Sequence, residues 1–294
     1  MKISAFCETL FVNKVYYLEI ESPAKINLFL HILGKRPDGY HELSTLMCCV
    51  TLYDMLSIDT GYKNISVSCT DPEIPTDEKN HAYRAADLFL KKLDKKDGVR
   101  IHIDKKIPAG AGLGGGSSNA AAVLSGLNKL FGNPFTLSEI MKMGLEIGAD
   151  VPFFLFKKPA LATGIGDNLE EYPVKIPYKV LIIYPGFGVS TKDVYNNLNL
   201  RLTNCKKKLK NSPFEREFDP ELLCNDLESV TASRHPEINE VKEALLKMGA
   251  KGALMSGSGS SVFGLFPDYD NAITANKALS MNYKWRVFLA DAIC

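Results

Sequence analysis

The residues most able to do chemistry cluster between Lys105 and Leu130, KKIPAGAGLGGGSSNAAAVLSGLNKL. Gly110, Gly112, Gly114, Gly115 and Gly116 fall within seven residues and are followed by Ser117, Ser118 and Asn119. Glycine at this density costs conformational entropy, and it is used where a backbone needs positive φ or close approach to a ligand. Successive backbone N–H groups ahead of a helix N-terminus make a site for a polyanion, phosphate above all. No Gly-Lys-Ser/Thr follows, which excludes a P-loop. Gly110, Gly112 and Gly115 satisfy G-x-G-x-x-G. However, Pro108 interrupts the approach, and no acidic residue stands about 20 residues on as a ribose partner. The H-R-D and D-F-G of protein kinases are absent. A plain surface turn has no need of five glycines before a helix start.

The flanking pattern supplies the supports. Val99, Ile101 and Ile103 alternate with Arg100, His102 and Asp104, which predicts a strand before the loop. After it, Ala120, Leu124, Leu127 and Phe131 share a helical face, with Ser117, Ser118 or Asn119 as cap and Gly132 and Pro134 as the end. Residues 15–33 read as two strands joined at Ser22-Pro23, with Lys25 and Asn27 on one side of an apolar run. Lys25 fits a lysine snorkelling from a sheet edge, and it equally fits an active-site floor. Tyr40 and His41 close a turn-rich loop that begins at Gly34. Asp77 to Leu93 is an amphipathic helix with Asn80 near its start. Asp150 lies between a helix end and Val151–Phe156, read as a buried strand; taken singly it is a turn-former or a functional carboxylate. A second glycine–serine loop, Ser256-Gly257-Ser258-Gly259, sits between two strands. From Lys179 onward the order of elements suits an α+β sandwich.

Composition bounds the class. At 294 residues, 46% hydrophobic and 23% charged, the chain is long enough for two domains and reads as soluble and globular. A net charge of +1 offers no global field for nucleic acid or membrane, so an anionic ligand must be held locally. The run Lys206–Lys210 lacks interleaved aromatics and reads as a solvated loop. Seven cysteines without C-x-x-C or zinc spacing suggest ordinary buried thiols in a reducing compartment. Glu8 and Lys14 break any signal-peptide core, so a cytoplasmic location is expected.

Three stretches together resemble the motifs of the GHMP kinases: Pro23-Ala24-Lys25-Ile26-Asn27-Leu28, Pro108 to Asn119, and Ser256-Gly257-Ser258-Gly259. Arg36–His41, Gly148–Phe154 and Asn225–Glu228 narrow the resemblance to the member of that family acting on a cytidine-diphosphate-linked methylerythritol in non-mevalonate isoprenoid biosynthesis. The resemblance implies transfer of the ATP γ-phosphate to the 2-hydroxyl of that substrate, with Mg²⁺. In it, Asp150 is the base and Lys25 its electrostatic partner. Pro108, Gly110, Gly112, Leu113, Gly114, Gly115, Gly116, Ser117 and Ser118 hold the ATP phosphates, and Asn80 and Lys105 lie toward the adenine. Asn27, Tyr40, His41, Asp150, Tyr195, Gly257 and Ser258 contact substrate, with Tyr40 and Tyr195 stacking on the cytosine, and Ser118 is the one candidate metal ligand. The expected fold is the α+β GHMP kinase fold. Residues 1–158 form a ribosomal-S5-domain-2-like ATP-binding domain and 159–294 a ferredoxin-like domain. The last strand, about 285–294, returns to the first domain, and the ligands meet in the cleft. A monomer or weak homodimer is expected. The alternatives are another small-molecule kinase of the homoserine kinase type, disfavoured by the presence of Arg36–His41, and a non-catalytic nucleotide-binding relative, disfavoured by the intact Asp150 and Lys25.

Overall fold

The computed structural model describes residues 16–198, 205, 216–282 and 284–293; Lys206–Lys210, Glu8 and Lys14 lie outside them. In chain order the elements begin with β1 (Tyr17–Lys35), β2 (His41–Tyr62), β3 (Ser66–Cys69), α1 (His81–Lys92), β4 (Gly98–Asp104), α2 (Gly115–Leu130), α3 (Leu137–Ile147) and α4 (Val151–Phe156). They continue with β5 (Ala160–Gly164), β6 (Asn168–Glu171), β7 (Val174–Lys175), β8 (Lys179–Tyr184), α5 (Thr191–Asn196), β9 (Arg216–Glu217) and β10 (Cys224–Asn225). The last are α6 (Glu228–Arg234), α7 (Glu237–Lys247), β11 (Gly252–Met255), β12 (Val262–Phe266), α8 (Tyr269–Leu279) and β13 (Arg286–Ile293).

Two compact units result. The first holds the described residues up to Pro23 with Tyr53–Ile107 and Gly115–Phe156; the second holds Ala24–Leu52, Pro108–Gly114 and the described residues from Lys157 on. In the first unit, Met55–Tyr62 of β2 pairs antiparallel with β4, and β4 pairs parallel with β3. The alternation in β4 is as predicted: Val99, Ile101 and Ile103 are fully buried. Helix α1 packs on α2, and α3 and α4 complete the layer. Thr136 caps α3 in a full capping box, its hydroxyl accepting from Glu139 N while Glu139 answers at the Thr136 N–H.

The second unit is built on a mixed sheet in which β13 pairs antiparallel with β8 and β2, β8 with β12, and β12 with β11. Parallel pairing of β1 with β10 sets Phe29 opposite Cys224 and Leu30 opposite Asn225. Helices α7 and α8 cover this sheet, and Ile238, Val241, Leu245, Ala272 and Ala275 join Leu181, Ile183, Val262 and Phe266 in one core.

Four expectations are corrected. Residues 17–35 are one strand, not two, because Pro23's fixed φ suits extended backbone. Val151–Phe156 is a helix: a six-residue apolar run carries no period that separates helix from strand, and Pro152 in the first turn sacrifices no needed N–H. Cys205 and Cys224 form a disulfide rather than lying as two buried thiols. Helix α2 also starts earlier than its serines suggested, at Gly115 within the glycine run.

Helix α2 approaches its sheet through Gly126. A Cβ there would lie 2.8 Å from Ile58 Cδ1 and 3.3 Å from Leu18 Cδ2. Gly126→Val therefore overpacks the contact. It should cost about 1–3 kcal/mol, read as a lowered urea midpoint at unchanged m-value.

Candidate active site

In the second unit the first half of the glycine loop is held by its carbonyls. Gly110 O accepts from Val189 N (2.8 Å), Ala111 O from Ser261 N (3.0 Å) and Leu113 O from Lys25 N (3.0 Å). Gly112 O accepts from the Ser256 hydroxyl at 2.9 Å. Four successive acceptors are thus turned into the protein. Among the described residues, the N–H groups of Gly110 to Gly114 donate to no protein group. A row of uncommitted amide donors running into the start of α2 is the arrangement that receives phosphate oxygens. Gly110, Gly112 and Gly114 have φ of 61°, 74° and 71°, a region that a side chain disfavours. Gly112 also has no room for one, since a Cβ would fall 2.0 Å from Ser256 O.

Beside this loop lies a buried polar relay on β1 and β2. Lys25, only 4% exposed, donates from Nζ to Asn27 Oδ1 at 2.5 Å. Asn27 Nδ2 donates to Thr45 Oγ1 at 2.8 Å, and the Thr45 hydroxyl donates to Phe29 O at 2.7 Å. The period of two along β1 places Lys25 and Asn27 on one side, as read from sequence, and burial removes the snorkelling alternative for Lys25. Gly257, with φ of 55°, approaches so closely that a Cβ would stand 3.2 Å from Lys25 Nζ and 3.5 Å from Asn27 Oδ1. Ser258 Oγ hydrogen-bonds Thr191 Oγ1 at 2.8 Å. Asn225 donates to Met255 O (2.8 Å) and Gly257 O (2.7 Å), which fixes the second loop from behind. Pro108, Gly110, Gly112, Leu113, Gly114, Lys25, Asn27, Gly257 and Ser258 therefore share one unit.

The aromatic candidates belong to the same unit. His41 opens β2, and its ring centroid lies 5.3 Å from that of Tyr195 at an interplanar angle of 34°. Tyr40 is 62% exposed at the tip of a turn closed by Arg36 N donating to Tyr40 O. Burial lowers the His41 pKa below the ordinary imidazole value, and the positive charge of Lys35 lowers it further.

The first unit carries the other candidates. Gly115 and Gly116 open α2. Ser118, 1% exposed, takes a 2.7 Å hydrogen bond from Ser22 Oγ, so its hydroxyl is turned inward. Ser117 is the more accessible hydroxyl of that turn, and its Oγ would lie 3.7 Å from a Cβ on Gly148. Asp150 stands two residues beyond Gly148, in the turn between α3 and α4. Asn80 caps α1, accepting from Ala82 N and donating to Pro75 O. The Lys105 ammonium is paired with Asp54 at 2.7 Å and also donates to Ile107 O. Each of these side chains thus has protein partners at the position where the sequence places it. The same environment holds His81, whose Nδ1 is buried without a partner near Gly116; burial, then Arg84, depresses its pKa.

Thr45 and Asp54 escaped the sequence reading, and Asn225 entered it only as part of the Asn225–Glu228 stretch, with no role of its own. Each is a single polar residue in a strand or turn, and only its pairing across 18, 51 or 30 residues of chain gives it meaning.

The comparisons with known proteins agree on one family. Residues 80–158 match the GHMP kinases N terminal domain and residues 216–284 the GHMP kinases C terminal domain. The chain belongs to the GHMP kinases. Similar proteins include the 4-diphosphocytidyl-2-C-methyl-D-erythritol kinase of Syntrophotalea carbinolica, 48% identical over 275 residues, covering 92% of this chain and 98% of that one. The enzyme of the same name from Clostridioides difficile is 42% identical over 277 residues, covering 91% and 93% of the two chains. Among solved structures, a 4-(cytidine 5'-diphospho)-2C-methyl-D-erythritol kinase superimposes with a TM-score of 0.76 at 34% identity, over 93% of this chain and 99% of that one. A homoserine kinase from Cytophaga hutchinsonii, at 20% identity, TM-score 0.71 and 98% coverage of both chains, shares the GHMP kinase fold.

The His41 environment is testable. Its proton NMR titration should have a midpoint below about 6.5, and Tyr195→Ala, by rehydrating the ring, should move it upward. Because the folded value is depressed, the unfolded chain binds more protons at this position in mild acid. The contribution of His41 to stability is therefore lost as pH falls.

Proposed function

We propose that this GHMP kinase transfers the γ-phosphoryl group of MgATP to the 2-hydroxyl of 4-diphosphocytidyl-2-C-methyl-D-erythritol. The observation that carries the phosphoryl-transfer reading is the Gly110–Gly114 segment, with its carbonyls tied inward and its amides uncommitted ahead of α2. Phosphoryl transfer asks a protein mainly for positioning and for neutralisation of charge on the transferring oxygens. The loop amides and the N-terminal turn of α2, through Gly115, Gly116 and Ser117, serve the nucleotide phosphates. Lys25, oriented by Asn27 and Thr45, offers an ammonium for charge that develops on the transferring group. Asp150 accepts the proton of the attacking hydroxyl. Asn27, Gly257 and Ser258 serve the methylerythritol phosphate end of the substrate.

The cytidine end is supported by the pairing of His41 with Tyr195 and by the high coverage of the similarly named relatives. A neutral imidazole, favoured by its lowered pKa, has one donor and one acceptor nitrogen for a pyrimidine edge. Tyr40 and Tyr195 supply faces for stacking, a contact worth about 1–3 kcal/mol per base. Mg²⁺ enters with the nucleotide, Ser118 at the start of α2 being its candidate protein ligand; among the described residues no carboxylate cluster surrounds the loop.

The identity is tested by ADP release with MgATP and the cytidine-diphosphate-linked methylerythritol, with homoserine and mevalonate as controls. Turnover is expected with the cytidine substrate alone, and Asp150→Asn should lower kcat about 10²- to 10⁴-fold. Turnover with homoserine would refute the substrate; ATP binding without any turnover would refute the kinase. Gly112→Ala tests the loop separately. By pushing Ser256 and the loop apart it should weaken ATP binding about 100-fold or more in a chain that keeps its circular dichroism spectrum.

A further inference from the structure

A second group of chemically capable side chains lies at the other end of β1. One ligand atom each from His31, Cys205 and Cys224 falls within 4.8 Å of the others. Cys205 and Cys224, with Cα atoms 5.7 Å apart, are joined as a disulfide, so the sulfurs are in the oxidised form. The surroundings are ordered by hydrogen bonds. The Asp226 carboxylate accepts from Ile32 N at 2.8 Å and from Cys205 N at 3.2 Å, while Asp226 N donates to Leu30 O at 3.0 Å. One carboxylate thus fixes the backbone next to both His31 and Cys205. The parallel register of Phe29 with Cys224 holds the third ligand. A cavity of about 390 Å³, lined by Cys205, Cys224, Asp226, Glu228 and their neighbours, opens the cluster to small solutes.

We propose that the reduced form of this cluster is a Cys₂His site for a soft divalent cation of the Zn²⁺ type. A thiol reductant breaks the Cys205–Cys224 bond: two reductant thiols become one disulfide, and the two protein sulfurs each gain an electron and a proton. Binding of Zn²⁺ then releases those two protons and forms two Zn–thiolate bonds and one Zn–imidazole bond. Two thiolates and an imidazole are the donor set that selects such a cation over Mg²⁺ or Ca²⁺. Three protein ligands leave a fourth tetrahedral position, which the cavity supplies with water. The disulfide and the metal site are mutually exclusive states of the same two sulfurs.

The consequence for the neighbouring loop is local. Cys224 precedes Asn225, whose side chain holds the carbonyls of Met255 and Gly257. The state of the sulfurs therefore bears directly on the strand that braces the Ser256–Ser258 loop.

The probe is Co²⁺ added to the full chain under anaerobic conditions after reduction with a phosphine and its removal. Wild type should bind one equivalent with thiolate-to-cobalt charge-transfer absorption, and Zn²⁺ should displace it. His31→Ala should weaken binding by more than the roughly 10- to 100-fold lost with an outer-shell partner. Cys205→Ser with Cys224→Ser should abolish the band, leaving the remaining five cysteines unable to restore it. The oxidised wild-type chain is the control that needs no substitution, and it should show no band. No one-equivalent band in reduced wild type, or an undiminished band in the double variant or the oxidised chain, would overturn the site.

Discussion

A loop that receives a polyanion must solve a backbone problem before any side chain matters. Each residue brings one donor and one acceptor, and buried acceptors cannot be left unpaired. Between Gly110 and Leu113 all four carbonyls are satisfied by the second unit itself, through Val189, Ser261, Ser256 and Lys25. The donors are thereby left for a ligand. This sorting explains why the three motifs, so distant in sequence, are chemically one object. Ser256 belongs to the third motif and Lys25 to the first, and both exist in part to hold the second. The glycines answer the same demand, because a run alternating through φ near 60–75° is open to few other residues.

Charge is organised with similar economy. An ammonium costs several kcal/mol to bury unless it is paired and hydrogen-bonded. Lys25 meets part of that demand through Asn27, which is oriented by Thr45, which is anchored on Phe29 O. Lys105 meets it through Asp54 and Ile107 O. A Cβ on Gly115 would lie 3.0 Å from Lys105 Nζ, so this positive charge sits against the N-terminal turn of α2, where the helix dipole disfavours it. Asp54 offsets that cost and also accepts from the N–H groups of Lys106 and Ile107 at 2.8 Å each.

Local chemistry was the legible part of the sequence. The glycine density, the β4 alternation, and the period-two placement of Lys25 and Asn27 each depend on residues within a few positions, and each is seen in the structure. Val151–Phe156 was misread because a short apolar run buried on all sides has no detectable period. The strand break at Ser22-Pro23 was misread because proline interrupts ladders but not extended φ. Thr45 and Asp54 stayed silent, and Asn225 gave no role, because a lone polar residue gains its meaning only from a partner far along the chain. The disulfide was equally hidden, since Cys205 and Cys224 are 19 residues apart with no motif between them.

β1 ties these observations together as a ruler. Lys25, Asn27, Phe29 and His31 alternate along one strand, and at about 3.3 Å per residue some 20 Å separate Lys25 from His31. A change at His31 can reach Lys25 through β1 only along that length of strand. The shorter connection runs through β10. Cys224 is bonded covalently to Asn225, and the Asn225 amide grips Gly257, which stands against Lys25 Nζ and Asn27. Coupling between two sites requires an element with two discrete states, and a sulfur pair that is either joined or parted is such an element. The chain thus places a two-state chemical group a single residue away from the side chain that braces its lysine pocket.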